Sequence, residues 1–339
     1  KKAISFGNPK GTENRSDLLG DIIRLPLPYA LQSALCIFTH RPFEGSALLE
    51  KEIDLFFAPD HHIPKLKNIP VVATIMDAYP LIHPELVSQR LRRFKNSAFK
   101  KASQWADHII TISEHSKKDI EYYFDIPSER ISVVPLGVNS AYMEQISQSE
   151  KERILEKFGL KKDFFIFVGT IQPRKNLARL VEAHESLPMQ IRQKHPLLII
   201  GQQGWGEERL REKLQRTGEG DTLRYLARVT DRELYALLQS ALAMVYPSLY
   251  EGFGLPILEG FASQIPVIAS NTTSIPEVAG EAAYYIDPLD TADIAAKMLD
   301  IASDSRLRSE IVQKGWQRVQ EFGWENSAKK HLEIFSKII

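Results

Sequence analysis

VYPSLYEGFGLPILEGFASQIPVIAS, residues 245–270, decides how the chain is read. It begins in a β-branched and aromatic run, AMVYPS, and crosses the Gly252-Phe253-Gly254 turn. It then enters an apolar helix with Pro256 in its first turn and leaves through a second strand, PVIAS. Proline is tolerated there because the first N–H groups of a helix have no partner inside it. A strand, a helix and another strand in close succession predict parallel pairing in an α/β protein. Two glutamates bracket the turn: Glu251 just before it and Glu259 inside the helix.

The same alternation extends in both directions. In the first half, apolar runs predict strands at 3–6, 54–59, 71–76, 108–113 and 131–137, and their near-continuous apolarity suits strands covered on both faces. Residues 84–106 read as a long helix with a stripe at Val87, Leu91, Phe94, Ala98, Ala102 and Trp105. Ser113 is placed to cap a helix over EHSKKDIEYYF. The polar stretch SQSEKERILEKFGLKKD then reads as a linker with a lead-in helix. After it come strands at 164–169, 196–201, 224–229, 243–248, 266–270 and 282–287, with helices from about Asn176 and from Asp231. This predicts two doubly wound domains, 1–145 and 146–316, followed by a terminal helix over 317–339. In such sheets ligands collect at the carboxyl ends of the strands, so a cleft between the domains is the expected site.

Composition narrows the function. Lys+Arg and Asp+Glu both number 43, so net charge offers no general attraction to nucleic acid, and none is expected as a partner. Cys36 is the only cysteine, which rules out an intrachain disulfide and points to a reducing, cytoplasmic setting. No apolar run reaches the roughly 18 residues of a membrane span, so a soluble chain is expected. The nine histidines show no metal-ligand spacing, and no bound metal or cofactor is expected.

Three features could carry chemistry. GTIQPRKN, beginning at Gly169, sets Arg174 and Lys175 where a helix should start, an arrangement that suits a diphosphate. A surface turn with two solvated cations is the alternative. LIIGQQGWG and EGFGLPI both lack the GxGxxG spacing, which argues against a dinucleotide site and hydride transfer. The Glu251 turn offers backbone N–H groups to an anion or to sugar hydroxyls. Glu259 is either an ordinary helix surface residue or a carboxylate for a vicinal diol such as a ribose.

Taken together, YPSLYEGFGLPILEGFASQIPVIASN, IPEVAGEAAYYIDPLD, IITISEHSKKDI, ISVVPLGVN, FVGTIQPRKNL, LLIIG and LARVTDRELYALLQSA resemble, in order and spacing, the family 4 retaining glycosyltransferases of GT-B fold. The resemblance runs from Ile53 to the C-terminus. The GTIQPRKN form is similar to a subgroup rich in mannosyl- and rhamnosyltransferases of bacterial surface polysaccharides. It implies that Glu259 holds the donor ribose and that Glu251 meets the hydroxyls of the transferred sugar. Backbone N–H groups of Gly252, Phe253, Gly254 and Leu255 would face sugar and diphosphate, and Lys175 would bind phosphate beside Gly169 and Thr170. The base would lie against Val229, with Gly201 leaving room.

The sequence also departs from the family pattern. Thr170 stands where many members have arginine, and Arg174 is the expected replacement cation. Met76, before Asp77 on the acceptor side, stands where the family often has histidine. The family's first strand and glycine-rich loop have no counterpart at the start of this sequence. Arg90, Arg92, Arg93, Lys95, Lys100 and Lys101 form either a solvated face or a contact with an anionic membrane, at the inner face of the plasma membrane. The helix around Trp324 resembles the terminal helix that in this fold crosses back to the first domain.

The expected function is retaining, metal-independent transfer of a hexose, mannose favoured, from a nucleoside-diphosphate sugar, GDP-sugar favoured. The expected acceptor is a saccharide or lipid-linked saccharide in polysaccharide or lipopolysaccharide biosynthesis. A catalytically silent sugar-nucleotide-binding subunit, motivated by Met76, is the alternative.

Overall fold

The computed structural model describes residues 2–5, 21–24, 36, 39, 41–42, 53–60, 62–84, 92–218 and 221–339. They divide into two compact units: Lys1–Ile112 with Ser116–Val134 and Lys329–Ile339, and Ser113–His115 with Pro135–Ala328.

In the first unit, β1 (Lys2–Ser5) pairs parallel with β2 (Asp21–Arg24). A second, parallel sheet runs in chain order through β3 (Phe56–Ala58), β4 (Val71–Thr74), β5 (His108–Thr111) and β6 (Ile131–Val133). Its alternation is visible residue by residue. Phe56, Ala58, Val71, Ala73, Ile109 and Ile131 join one core, while Phe57, Val72 and Ile110 join another under Ile334, Phe335 and Ile338 of the terminal helix Trp324–Ile338. Both faces are therefore covered, as the apolar runs predict. β2 is not foreseen, because Ile22 and Ile23 alone between Asp21 and Arg24 are too short an apolar run. Of the long helix expected over 84–106, Arg92–Ser103 is helical, Trp105 lies beyond its end against the core, and 85–91, with Arg90, fall outside the described residues, as does Phe6. Among the described residues no helix is long and apolar enough to cross a membrane.

The second unit is a six-stranded parallel sheet in the order β12-β11-β10-β7-β8-β9. Its strands are β7 (Phe165–Val168), β8 (Leu197–Ile200), β9 (Leu223–Leu226), β10 (Ala243–Tyr246), β11 (Val267–Ser270) and β12 (Tyr284–Ile286). The chain winds outward from β7 through β8 to β9, then returns to the other side of β7 and winds outward through β10, β11 and β12. This is the doubly wound arrangement. β7 and β8 each end one residue earlier than the apolar runs suggest, just before Gly169 and Gly201. At Gly201 a Cβ would lie 2.0 Å from the Gly169 carbonyl oxygen. The close approach of two strand ends is therefore reason enough for glycine at 201.

Candidate active site

The two directions of winding part between β7 and β10, which are paired neighbours with Phe165 opposite Ala243 and Ile166 opposite Met244. In such sheets the loops leaving the carboxyl ends at this point diverge to opposite faces, and the gap between them is the candidate ligand site. One loop carries Arg174 and Lys175, and the other carries Glu251.

The cations lie immediately before a helix whose predicted start, at about Asn176, is met within one residue. They sit in a separate single turn, Pro173–Lys175, closed by Asn176 in the left-handed region (φ 58°), and the helix Leu177–Ser186 starts only after it. Asparagine tolerates that conformation better than most residues. Its side-chain amide also donates to the carbonyls of Pro247 (3.0 Å) and Pro288 (2.6 Å), while the Leu249 N–H donates to the Arg174 carbonyl (2.8 Å). These bonds stitch the cation turn to the Glu251 loop and fix where the charges meet.

They meet on one carboxylate. Arg174 Nη1 donates to Glu251 Oε2 and Lys175 Nζ to Glu251 Oε1, each at 2.6 Å. Lys175 also donates to the Tyr246 hydroxyl, and that hydroxyl donates to Glu251 Oε1 at 2.9 Å. Glu251 and Lys175 are both only 6% exposed, and Tyr246 is fully buried. Burial pushes the Glu251 carboxyl upward, but the neighbouring Lys175 and Arg174 charges outweigh it and hold the group below the ordinary carboxylate range. Burial lowers Lys175, against the opposing pull of Glu251. Two cations share one anion, so the cluster carries one surplus positive charge beside the helix N-terminus at Leu255. That is the electrostatic condition for an anionic ligand.

The helix Leu255–Ala262 begins at Gly254, whose φ of 100° is unsuited to a side chain, and Pro256 lies in its first turn as expected. Glu259 projects separately from Glu251. It lies beside Tyr142, which hydrogen-bonds to it and packs edge-on against Tyr235 at 4.6 Å between ring centroids. Burial raises Glu259 above its ordinary value, partly countered by that hydrogen bond and by the Lys175 charge. Burial and the Glu259 charge push the Tyr142 hydroxyl up in turn. A half-buried carboxylate with a hydroxyl already at hand fits a polyol better than a surface residue does.

Of the remaining predicted residues, Gly169 and exposed Thr170 begin the cation loop, and Gly252 and Phe253 are buried in the Glu251 turn. Val229 is half-buried after β9, just before the capping box that Thr230 and Glu233 form on the helix Asp231–Leu238. Met76, half exposed, and Asp77, whose Oδ1 accepts the Tyr79 N–H at 3.0 Å, belong to the first unit. The Ser113 hydroxyl donates to the Gly252 carbonyl at 2.7 Å, and the Glu277 carboxylate accepts the N–H groups of Glu114 (2.8 Å) and His115 (3.2 Å) at the start of the helix Glu114–Phe124. Sequence reasoning missed Tyr142 and Tyr246. Only the strand position of Tyr246, two residues before the loop proper, could have hinted that its hydroxyl faces the charges.

Residues 148–318 match the family described as glycosyl transferases group 1, and residues 7–142 match glycosyltransferase family 4. O-antigen chain mannosyltransferase B of Escherichia coli is 32% identical over 333 residues, covering 95% of this chain and 86% of that protein. The serotype-specific mannosyltransferase WbdA of Escherichia coli is 29% identical over 80% of this chain, which spans only 34% of that longer protein. Among solved structures, HepE of Anabaena in complex with UDP and glucose superposes with a TM-score of 0.70 at 17% identity, covering 94% of this chain and 86% of that one.

Proposed function

Because the chain belongs to the group 1 glycosyl transferases, with glycosyltransferase family 4 matching its first half, we propose that it transfers mannose with retention from GDP-mannose to a saccharide or lipid-linked saccharide. Polysaccharide or lipopolysaccharide assembly is the setting. Support for mannose comes from the named activities of the mannosyltransferase relatives. The observation that carries the reading is the Arg174–Glu251–Lys175 cluster at the switch point, with its one surplus positive charge.

As the bond from the anomeric carbon to the diphosphate oxygen breaks, negative charge grows on the departing diphosphate. Lys175, Arg174 and the N–H groups before Leu255 meet that charge without reorganising, so these two cations supply the neutralisation that a metal provides elsewhere. Glu251 turns an oxygen to the sugar hydroxyls. The acceptor hydroxyl attacks from the face the diphosphate leaves and passes its proton to a phosphate oxygen, which conserves configuration and needs no protein base. Glu259, joined by Tyr142, accepts the ribose hydroxyls. Membrane contact through the basic helix stays within the proposal. Lys100 and Lys101 also have a local reason to be there, since cations stabilise the last turn of a helix.

The test is nucleoside-diphosphate release from GDP-, UDP- and ADP-hexoses with an oligosaccharide acceptor, and NMR of the product's anomeric carbon. GDP-mannose should give the highest rate and an α-linked product; no release from any donor would overturn the reading. Glu259→Ala should weaken binding of the bare nucleoside diphosphate as well as the donor, by about 1–3 kcal/mol for a lost charge-assisted hydrogen bond. Since Glu259 titrates above the ordinary carboxylate value, affinity in the native protein should begin to fall on acidification before pH 4.3 is reached. Calorimetric titration across pH reads both effects.

Met76 provides a check on the catalytic route. With no protein base required, Met76→Leu should retain activity within about tenfold, and Met76→His should gain little. An inactive native protein rescued by the histidine would favour a silent binding subunit.

A further inference from the structure

Tyr246 is the one member of the buried cluster with no role in the reaction just described. It lies at the end of a central strand, fully buried, with its ring stacked on Phe167 (5.9 Å between centroids, 13° between planes). The Lys175 ammonium lies 4.7 Å from its ring centroid and donates to its hydroxyl, while the hydroxyl donates to Glu251 Oε1 at 2.9 Å. Burial and the Glu251 charge hold the phenol far above its ordinary value, so it keeps its proton and can accept and donate at once.

The arrangement has a consequence for donor binding. Glu251 Oε1 already accepts from both Lys175 and Tyr246, so that oxygen must let the ammonium go to accept a sugar hydroxyl in its place. A buried ammonium whose only anion turns away is left costly and free to wander. The tyrosine hydroxyl and ring do not move with Glu251, because strand pairing and the Phe167 stack fix them.

We propose that Tyr246 is the positioning residue of the active site: it keeps the Lys175 ammonium in place while Glu251 turns from Lys175 to the hydroxyls of the transferred sugar. The proposal rests on the nucleotide-sugar reading above. It goes further in assigning Lys175 a permanent neutral partner and Glu251 a temporary one. The charged and titratable groups that face Lys175 are Glu251, Arg174, Tyr246 and, at longer range, Glu259.

Tyr246→Phe keeps the ring, the stack and the cation–π contact and deletes only the hydroxyl. Its readout is the pH profile of kcat/KM with GDP-mannose, which reports groups of the free enzyme. Lys175 must be charged to act, and burial already lowers it, so activity is lost as pH rises through its pKa. Removing an acceptor of the ammonium should lower that pKa and bring the alkaline limb down by about one pH unit. The maximal kcat should fall about tenfold, while affinity for bare GDP, which asks nothing of Glu251 at the sugar, should change less than threefold. Adding Tyr246→Phe to Lys175→Met should cost much less than it does in the native protein, since the hydroxyl then has no ammonium to hold and only its bond to Glu251 is lost.

An unmoved alkaline limb, or losses that multiply in the double variant, would overturn the proposal. If the phenylalanine variant shows no native melting transition, 3-fluorotyrosine at position 246 keeps ring and hydroxyl but weakens the acceptor. The limb should again move down, by less, and an unchanged limb again overturns the proposal. A native protein that releases no nucleoside diphosphate from any donor defeats the functional reading itself, whereas an active native protein with unaltered variants defeats only the role of Tyr246.

Discussion

Glu251→Gln should destabilise the second unit by about 3–5 kcal/mol, because it removes the carboxylate charge bonded to Arg174 and Lys175 and leaves the two cations facing each other. Lys175 is buried and cannot recover its hydration by moving outward, whereas Arg174 is about a quarter exposed and can partly do so. The amide of glutamine still offers one acceptor oxygen, so the lower end of the range is expected. For a unit of this size that corresponds to a fall in Tm of roughly 6–12 °C by calorimetry, with both cations still present. A change below about 2 °C would mean that the cluster contributes nothing net to stability.

The native protein should show the same dependence through pH. Glu251 has its carboxyl held below the ordinary range in the folded state, so its contribution is full above the unfolded value of about 4.3 and is lost as pH falls through the folded value. The difference in Tm between native protein and Glu251→Gln should therefore be constant near neutrality and shrink once pH drops below about 4.3. Glu259, raised rather than lowered, makes the opposite contribution. Its protonation in the folded state relieves a burial cost, so the two glutamates of one short segment respond to acid in opposite senses.

That opposition was only partly legible in the sequence. The strand, glycine turn and proline-started helix were readable because local chemistry dictates each: β-branched residues for the strand, glycine for the positive φ at Gly254, and proline where N–H groups are unpartnered. The winding order was also readable, since near-continuous apolar runs alternating with amphipathic ones leave few other solutions. Contacts made across the chain were not. Ser113 stands where the local rule puts a helix cap, but nothing local reveals that its hydroxyl also donates to Gly252 or that the distant Glu277 accepts the first N–H groups of that helix. The loop of Arg174 and Lys175 and the helix directly after it are legible, but not the separate turn that holds the cations, because nothing local reveals that Asn176 turns left-handed. Tyr246 looked like any strand aromatic. Its importance comes from what β7 and β10 bring to their ends when they lie side by side.

Lys175→Met should lower kcat by at least about a hundredfold, with KM for the donor changed far less. The ground-state diphosphate can also be held by Arg174 and by helix N–H groups, so binding survives the loss of one cation. On the proposed mechanism the transition state carries more charge on the leaving oxygen beside Lys175, which is buried, where each unit of charge is screened less than in water. Arg174→Ala should have a smaller effect on kcat, because its guanidinium is more exposed and is held partly by the Tyr250 carbonyl at 3.1 Å. The double variant should lose less than the product of the two, since both cations bond to the same carboxylate and removing one already changes what the other can do. Steady-state kinetics with saturating acceptor separates the cases. If Lys175→Met raises KM a hundredfold and leaves kcat intact, the lysine holds the donor equally in ground and transition states, and the growing charge on the diphosphate is met by some other group.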